Sequence, residues 1–173
     1  HVGAERAHTT GRHADLPVRM AVASLASAGI EWNLTDATSD ELGAIREWLT
    51  WYKSIRGLLS SGTTVRPDPV DDAVDILGIV SAERDRAVFQ VVCVGSPRAA
   101  LPAPLSVAGL DDEFLYRVSV VPNLTSARFV TDALPPWMES PIQVPGSVLR
   151  RIGLPLPPLT IGDVVTVELS VAG

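Results

Sequence analysis

The spacing of apolar residues changes once along this chain, close to residue 62, and that change limits the folds that the chain can adopt. Before Gly62, apolar side chains recur every three or four residues, as on the buried face of a helix. After it, short runs rich in valine and isoleucine alternate with clusters of proline, glycine and aspartate, which is typical of strands and turns. We therefore predict an α+β chain in two parts, helical residues 1–62 and an antiparallel β-sandwich at residues 63–173.

The first predicted helix spans Leu16–Gly29, and its composition is unusual for an exposed helix. After Arg19 it carries no charged residue, and most of its residues are Ala, Ser, Val, Leu or Met. A helix with so little polar surface is expected to be covered on most sides. Close packing on a sheet is an alternative that fits the same small residues.

The second predicted helix spans Thr38–Ser61 and is amphipathic. Thr38 and Glu41 have the spacing of a capping box, in which each side chain bonds the backbone of the other residue. Trp48 and Tyr52 fall on the apolar stripe, which favours a place in the core over a sugar-binding surface.

The last predicted strand shows the clearest two-residue alternation. In the segment VTVELSV, apolar side chains occupy every second position from Val165 to Val171, and Thr166, Glu168 and Ser170 stand between them. This period is typical of an antiparallel strand with one buried side and one solvent-facing side.

The bulk composition disfavours several functions. With a net charge of −6, the chain is not expected to bind nucleic acid or an anionic membrane. Its single cysteine, Cys93, lies in an apolar run and is expected to be a buried, inert thiol. No targeting segment or membrane-spanning run is visible, so we expect a cytoplasmic location. No phosphate-binding loop stands out, and we expect no cofactor.

All three histidines, His1, His8 and His13, lie near the start of the chain. His8 and His13 with Glu5 suggest metal ligands, but their spacing matches no standard zinc pattern and a terminus is a poor scaffold for a closed site. We therefore expect no metal site. No arrangement of serine, histidine and aspartate stands out for nucleophilic catalysis.

The chain contains the segments HTTGR at 8–12, GIEWNL at 29–34 and YKSIRGLLSSG at 52–62. Together with His1, these segments resemble the α-galactosidases of glycoside hydrolase family 36. That family has a strand ending in Gly-Ala-His and then a loop with His-x-Thr-Gly-Arg, which correspond here to His1 and to the segment HTTGR at 8–12. The segments GIEWNL at 29–34 and YKSIRGLLSSG at 52–62 match two further family patterns. Weaker matches (GIVSAERDRAVF, YRV and PGSVLRRIGLPLP) follow in the family's order. Gly57 and Ser60 depart from it, since the family often has proline and histidine there.

The resemblance implies that the chain is the C-terminal fragment of a larger enzyme. It would begin at the end of the last strand of a (β/α)8 barrel, with Leu16–Gly29 as the last barrel helix and Thr38–Ser61 as a linking helix. A C-terminal sandwich of roughly eight antiparallel strands would follow. The N-terminal stretch would then lack strand neighbours, so we expect it to be mobile or held by a neighbouring molecule. We expect the uncovered face of the first helix to be buried by self-association or by collapse onto the long helix.

The same resemblance implies a retaining exo-α-galactosidase, which releases terminal α-galactosyl residues with two aspartates. Neither aspartate motif of the family is found here, so we expect no catalytic residue in the chain and no activity of the chain alone. Its partners would be the missing barrel and, in the full-length enzyme only, an α-galactoside. His1 is expected close to the sugar, and His8, Gly11 and Arg12 on a loop at the active-site rim.

Two alternatives to this function stay open. One is a free-standing carbohydrate-binding or interaction β-sandwich, although Trp137 is the one tryptophan in the second part of the sequence. The other is the same fragment from an α-N-acetylgalactosaminidase or from a relative of the raffinose-synthase type. The residues that surround the sugar would separate these enzymes, and the resemblance places them upstream of His1.

Overall fold

The structure is a computed structural model that describes residues 1–7, 9–25, 27–126 and 134–173. A short parallel strand pair and two helices come before a six-stranded antiparallel sheet. Single 3₁₀ turns lie at Leu34–Asp36 and Pro122–Leu124. The elements in chain order are β1 (Val2–Gly3), α1 (Leu16–Ser24), β2 (Ile30–Glu31), α2 (Ser39–Ser61), β3 (Thr63–Val65), β4 (Val74–Val80), β5 (Arg86–Cys93), β6 (Leu115–Val120), α3 (Pro136–Glu139), β7 (Ile142–Pro145), α4 (Gly146–Arg151) and β8 (Val164–Val171).

Helix α1 is shorter than the predicted Leu16–Gly29. It ends at Ser24, because Leu25 leaves the helical conformation (φ −84°, ψ 15°) and the chain turns toward β2. Four of its nine residues are buried within this chain, while Val22 on the same helix is 59% exposed. Ser24 also accepts a hydrogen bond of 2.8 Å from the indole Nε1 of Trp48, so α1 packs on the long helix.

Helix α2 confirms the prediction for the second helix. The backbone N–H of Glu41 donates to Thr38 Oγ1 (3.3 Å), and the backbone N–H of Thr38 donates to Glu41 Oε2 (2.9 Å), which completes the capping box. Trp48 is buried in the core, with the ring of Tyr52 at a centroid distance of 6.1 Å. The helix ends at Gly62, where a Cβ atom would approach the Leu58 carbonyl oxygen to 2.7 Å.

The antiparallel sheet is confirmed, with the strand order β3-β4-β5-β8-β6-β7. The described residues form six strands in one sheet, against the roughly eight that the resemblance implied. Helices α1 and α2 cover one face, and we call it the helix-covered face. The other face, which we call the loop-covered face, packs against α3, α4 and irregular segments that contribute Leu105, Val107, Leu110, Leu154, Leu156 and Leu159 to the core.

Strand β8 alternates as predicted, but its polar side is not open to solvent. Val165, Val167 and Leu169 enter the core of the loop-covered face. Thr166, on the other side, is fully buried and donates its hydroxyl to the carbonyl oxygen of Leu124 at 2.7 Å. The polar side of the strand is therefore buried at Thr166 and partly buried at Glu168 and Ser170, because helices and a 3₁₀ turn cover it.

The N-terminal stretch has a strand neighbour, contrary to the expectation that it would have none. Strand β1 pairs in parallel with β2, with Val2 opposite Ile30 and Gly3 opposite Glu31. Helix α1 connects the two strands, so the unit has β–α–β topology. A second parallel strand thus follows β1 in the described chain.

Candidate functional site

The ends of strands β1 and β2 bring together the residues that the sequence singled out. Val2 is fully buried in the cluster that includes residues of α1. Side chains alternate along a strand, so His1 and Gly3 face away from α1. Glu31, which is opposite Gly3 in the ladder, lies on that same side. One face of this strand pair is therefore packed on the helix, and the other presents polar side chains.

His1 and Glu31 form an ion-pair contact on that second face. The His1 Nδ1 atom lies 2.7 Å from Glu31 Oε1, and the two side chains are 51% and 68% exposed in this chain. The ring of His1 rests against Gly29, where a Cβ atom would come within 2.9 Å of ring atom Cδ2. Gly29 and Glu31 thus surround the imidazole, and we call these two residues the His1 seat. Gly29 is not the end of the first helix, which the sequence had predicted.

A hairpin formed by residues 5–7 and 9–14 follows the C-terminal end of β1, and we call it the rim hairpin. Backbone N–H groups of Ala7 and Ala14 donate to the carbonyl oxygens of Arg12 (2.8 Å) and Glu5 (3.1 Å). Gly11 stands at the turn with φ +69°, a conformation that favours glycine. The predicted rim residues Gly11 and Arg12 therefore share one hairpin, and His8 lies outside the described residues.

His1 and the described residues of the rim hairpin make separate polar contacts. In the described ranges, no hydrogen bond or ion pair joins His1 to Gly11 or Arg12. A second histidine–carboxylate contact lies within the hairpin, where His13 Nδ1 is 3.5 Å from Glu5 Oε1. No cluster of three or more histidine, cysteine or carboxylate side chains occurs among the residues described, and His8 of the set considered from the sequence lies outside them.

Arg19 is a residue of this region that the sequence did not assign to the site. Its Nη1 atom donates to the carbonyl oxygen of Gly3 at 2.6 Å, and its guanidinium lies 5.1 Å from the ring centroid of Trp32. Desolvation lowers its pKa from the ordinary value, although nearby Glu41 acts in the other direction. The sequence contained a sign that Arg19 has a special role, because it is the last charged residue before the charge-free part of the helix.

A groove of about 460 Å³ runs between the rim hairpin, α1 and the ends of β5 and β8. Its walls are partly apolar, with Val22 and Ile161 exposed, and partly polar, with Arg12 and His13. Cys93 lines its floor, but burial raises the pKa of this thiol and disfavours the thiolate. This agrees with the prediction of an inert cysteine, so the groove holds no activated sulfur nucleophile.

No helix in the described part of the chain combines the length and the apolar character needed to span a bilayer.

Comparisons with known proteins cover the chain almost from end to end. The family profile described as Melibiase matches residues 1–62, and the profile described as Glycosyl hydrolase family 36 C-terminal domain matches residues 74–168. An α-galactosidase of Escherichia coli is 28% identical over 98% of this chain and 25% of its own length. The bifunctional α-galactosidase/sucrose kinase AgaSK of Mediterraneibacter gnavus is 28% identical over 92% of this chain and 15% of its own length.

Solved structures agree with these sequence matches. The α-galactosidase AgaA of Geobacillus stearothermophilus, solved in complex with raffinose, has a TM-score of 0.80 and 26% identity, over 99% of this chain and 21% of that structure. The chain thus spans a quarter or less of the length of these relatives. The family 36 C-terminal profile alone matches more than half of the chain. The chain therefore belongs to glycosyl hydrolase family 36.

Proposed function

We propose that this chain is the C-terminal part of a retaining exo-α-galactosidase that hydrolyses terminal, non-reducing α-D-galactosyl residues of galacto-oligosaccharides. The observation that carries the proposal is the match of almost the whole chain, in order, to proteins named α-galactosidases. Retaining enzymes use two carboxylates, one as nucleophile and one as acid and base. Both would come from the part of the enzyme upstream of His1, so this chain alone is inactive and has a structural role.

Within that enzyme, His1 lies near the sugar, and His8, Gly11 and Arg12 belong to the active-site rim. Two features support these roles. The rim hairpin leaves the C-terminal end of a parallel strand, and active sites of (β/α)8 barrels form at that end of the strands. His1 and Glu31 project from the strand face that is not covered by α1, which is the side on which a barrel places its interior side chains.

The proposal also divides the chain and names its partners. Residues 1–62 are the end of the barrel with the linking helix, and residues 63–173 are the C-terminal β domain. The barrel residues upstream are the principal partner, and self-association of the fragment is a second one. Val22 and Ile161 support the need for a partner, since they are 59% and 66% exposed beside the groove. We place the enzyme in the cytoplasm.

A free-standing sugar-binding module is less well supported than this assignment. Such modules offer exposed aromatic rings on one face, which stack on the sugar. Trp137 is only 2% exposed, and its indole Nε1 donates to the Pro155 carbonyl oxygen at 2.8 Å. The tryptophan of the β domain is therefore used in the core.

The test is an activity comparison between the parent protein and this chain. We expect the parent to hydrolyse nitrophenyl α-galactoside and to release galactose from raffinose, and we expect no turnover by the chain alone. Faster hydrolysis of the corresponding α-N-acetylgalactosaminide would favour that relative instead. Galactosyl transfer to sucrose without net hydrolysis would favour the raffinose-synthase type. Turnover by the isolated chain would show that a catalytic group has been missed.

A further inference from the structure

The seat of His1 is built from two strands that are adjacent in space and far apart in sequence. Gly29 precedes β2 by one residue and Glu31 ends it, and both lie beside the His1 ring. The hydrogen-bonded register of β1 and β2, with Val2 opposite Ile30, fixes the position of His1 along the strand direction relative to Gly29 and Glu31. The backbone N–H of Val2 also donates to the Gly29 carbonyl oxygen at 2.7 Å, so the seat is tied directly to the strand that carries the ring.

Gly29 provides the space in which the ring lies. A Cβ atom at this position would be 2.9 Å from His1 Cδ2, closer than Cβ atoms approach other heavy atoms, and 3.1 Å from Nε2, which is a tight contact. Gly29 has no positive φ in this structure, so an alanine there would not strain the backbone. Alanine at position 29 would consequently displace the imidazole and leave the strand pair intact.

Glu31 fixes the orientation and the tautomer of the ring. A carboxylate is an acceptor only, so at 2.7 Å from Oε1 the Nδ1 atom of His1 carries the proton. In a neutral imidazole the other nitrogen, Nε2, is then an acceptor, and in the protonated ring it is a donor. A histidine held in this way presents one defined nitrogen to a ligand.

We propose that Glu31 and Gly29 are positioning residues for His1, which they hold with Nδ1–H on the Glu31 carboxylate and Nε2 available to a hydroxyl group of the sugar. The sugar is the substrate of the proposed function, and this part of the inference rests on that function. The seat itself rests on the contacts of the described chain. Neither residue touches the reacting bond, so both act through the orientation of His1.

The seat is tested on the full chain by the ¹⁵N NMR shifts of the His1 ring, assigned with the variant His1→Ala. At a pH where the ring is neutral, we expect the Nδ1–H form in the wild type. Glu31→Ala should shift the ring toward the Nε2–H form that free imidazoles prefer, whereas Glu31→Gln should keep Nδ1–H because its amide oxygen still accepts. Gly29→Ala should give the same change as Glu31→Ala, with the fold retained by circular dichroism.

Glu83→Gln, an exposed glutamate in the β4–β5 hairpin, is the matched control and should leave the His1 shifts unchanged. An unaltered tautomer in both Glu31→Ala and Gly29→Ala would overturn the seat. In the parent enzyme, Glu31→Ala should raise KM for an α-galactoside about tenfold with kcat nearly unchanged, because the contact that is lost binds the ground state and the transition state equally. Glu31→Gln should restore most of the loss.

The two measurements separate the possible failures. A parent that does not hydrolyse α-galactosides would contradict the proposed function, while the tautomer result would still decide the seat. If the tautomer changes in Glu31→Ala and the parent's KM stays the same, the seat exists but His1 does not bind the substrate, and the positioning role is wrong.

Discussion

The two faces of the six-stranded sheet are held to their neighbours in different ways. On the loop-covered face, the strands contribute apolar side chains almost exclusively, such as Phe89, Val91 and Val167. On the helix-covered face, the same strands contribute Gln90, Thr166 and Glu168 between the apolar residues. A single sheet therefore has one apolar contact surface and one that includes directional polar contacts.

The difference concerns orientation more than stability. Apolar burial is non-directional and tolerates small shifts between layers, whereas a hydrogen bond requires both a distance and an angle. Gln90 Nε2 donates to the Ala21 carbonyl oxygen in α1 at 2.7 Å, and Trp51 Nε1 of α2 donates to Glu168 Oε2 at 3.0 Å. These contacts set the two helices, and with them the β1–β2 unit, at a fixed position on the sheet.

Removal of a large side chain from the loop-covered face should have the largest effect. Phe89 is fully buried, and its ring lies over Gly78, where a Cβ atom would be 2.3 Å from ring atom Cε1. Phe89→Ala leaves a cavity that Gly78 cannot fill, because glycine has no side chain. We therefore expect the free energy of unfolding, measured by urea denaturation, to fall by about 3–5 kcal/mol. The matched control is Phe114→Ala, because Phe114 is 38% exposed, and it should cost much less. Equal losses would contradict the core assignment.

Loss of the buried amide on the helix-covered face should have a smaller effect on stability but a specific one on α1. Gln90→Leu keeps the volume and removes the donor to Ala21, so we expect a loss of about 1–2 kcal/mol. Hydrogen exchange should accelerate in α1 and not in the β domain. Gln143→Leu on the exposed side of edge strand β7 is the control, with an expected change within about 0.5 kcal/mol. Uniform acceleration over the whole chain would argue against a positioning role of Gln90.

The link between α2 and β8 should appear as a coupling energy. Glu168 accepts from Trp51 and also pairs with Arg86 at 3.1 Å, and its side chain is only 26% exposed. In a double-mutant cycle of Trp51→Phe and Glu168→Ala we expect a coupling of about 0.5–1 kcal/mol, because either change removes the hydrogen bond.

An exposed pair on the same molecule provides the reference for that coupling. Arg98 and Asp72 are 2.9 Å apart, with side chains 75% and 89% exposed. A cycle of Arg98→Gln and Asp72→Asn should give a coupling close to zero, because solvent and salt screen such a pair. If both cycles gave the same value, the helix-covered face would have no stronger polar contact than the surface.

The features that the sequence predicted well are those that depend on neighbouring residues. The capping box of Thr38 and Glu41 and the alternation of β8 are local patterns, and both are found in the structure. Gln90 was hidden in an otherwise apolar run, because the pattern shows that a strand is buried and not which partner its polar residue meets 69 positions away. The solvent-facing side expected for Thr166 was wrong for the same reason.

The site was predicted less completely than the fold. The resemblance singled out His1, but Glu31 entered only as a letter of the segment GIEWNL, and Gly29 entered as another letter of it and as the predicted end of the first helix. Strands β1 and β2 have two residues each, too short for a period to be visible, and their pairing spans 28 positions. Arg19 was visible as an isolated charge, yet its contact with the Gly3 carbonyl follows from the β–α–β topology, which spacing along the chain does not reveal.

The smallest expected effect concerns the cap of α2, which lies at the exposed end of the helix and away from the sheet. The backbone N–H of Thr38, and then its hydroxyl, hydrogen-bond the Glu41 carboxylate and lower its pKa from the ordinary value of 4.5. A carboxyl group whose pKa is lower in the folded state contributes stability that is present above its unfolded pKa. That stability is lost as the pH falls through the folded pKa.

Glu41→Gln keeps a neutral capping partner and lacks the charge, so the wild type should be more stable at neutral pH and the difference should vanish below the folded pKa of Glu41. Urea denaturation midpoints of the two proteins, measured from neutral pH to well below 4.5, check this. A difference that stays constant with pH would mean that the capping carboxylate gains nothing from its charge, and that α2 is held by its contacts with the sheet alone.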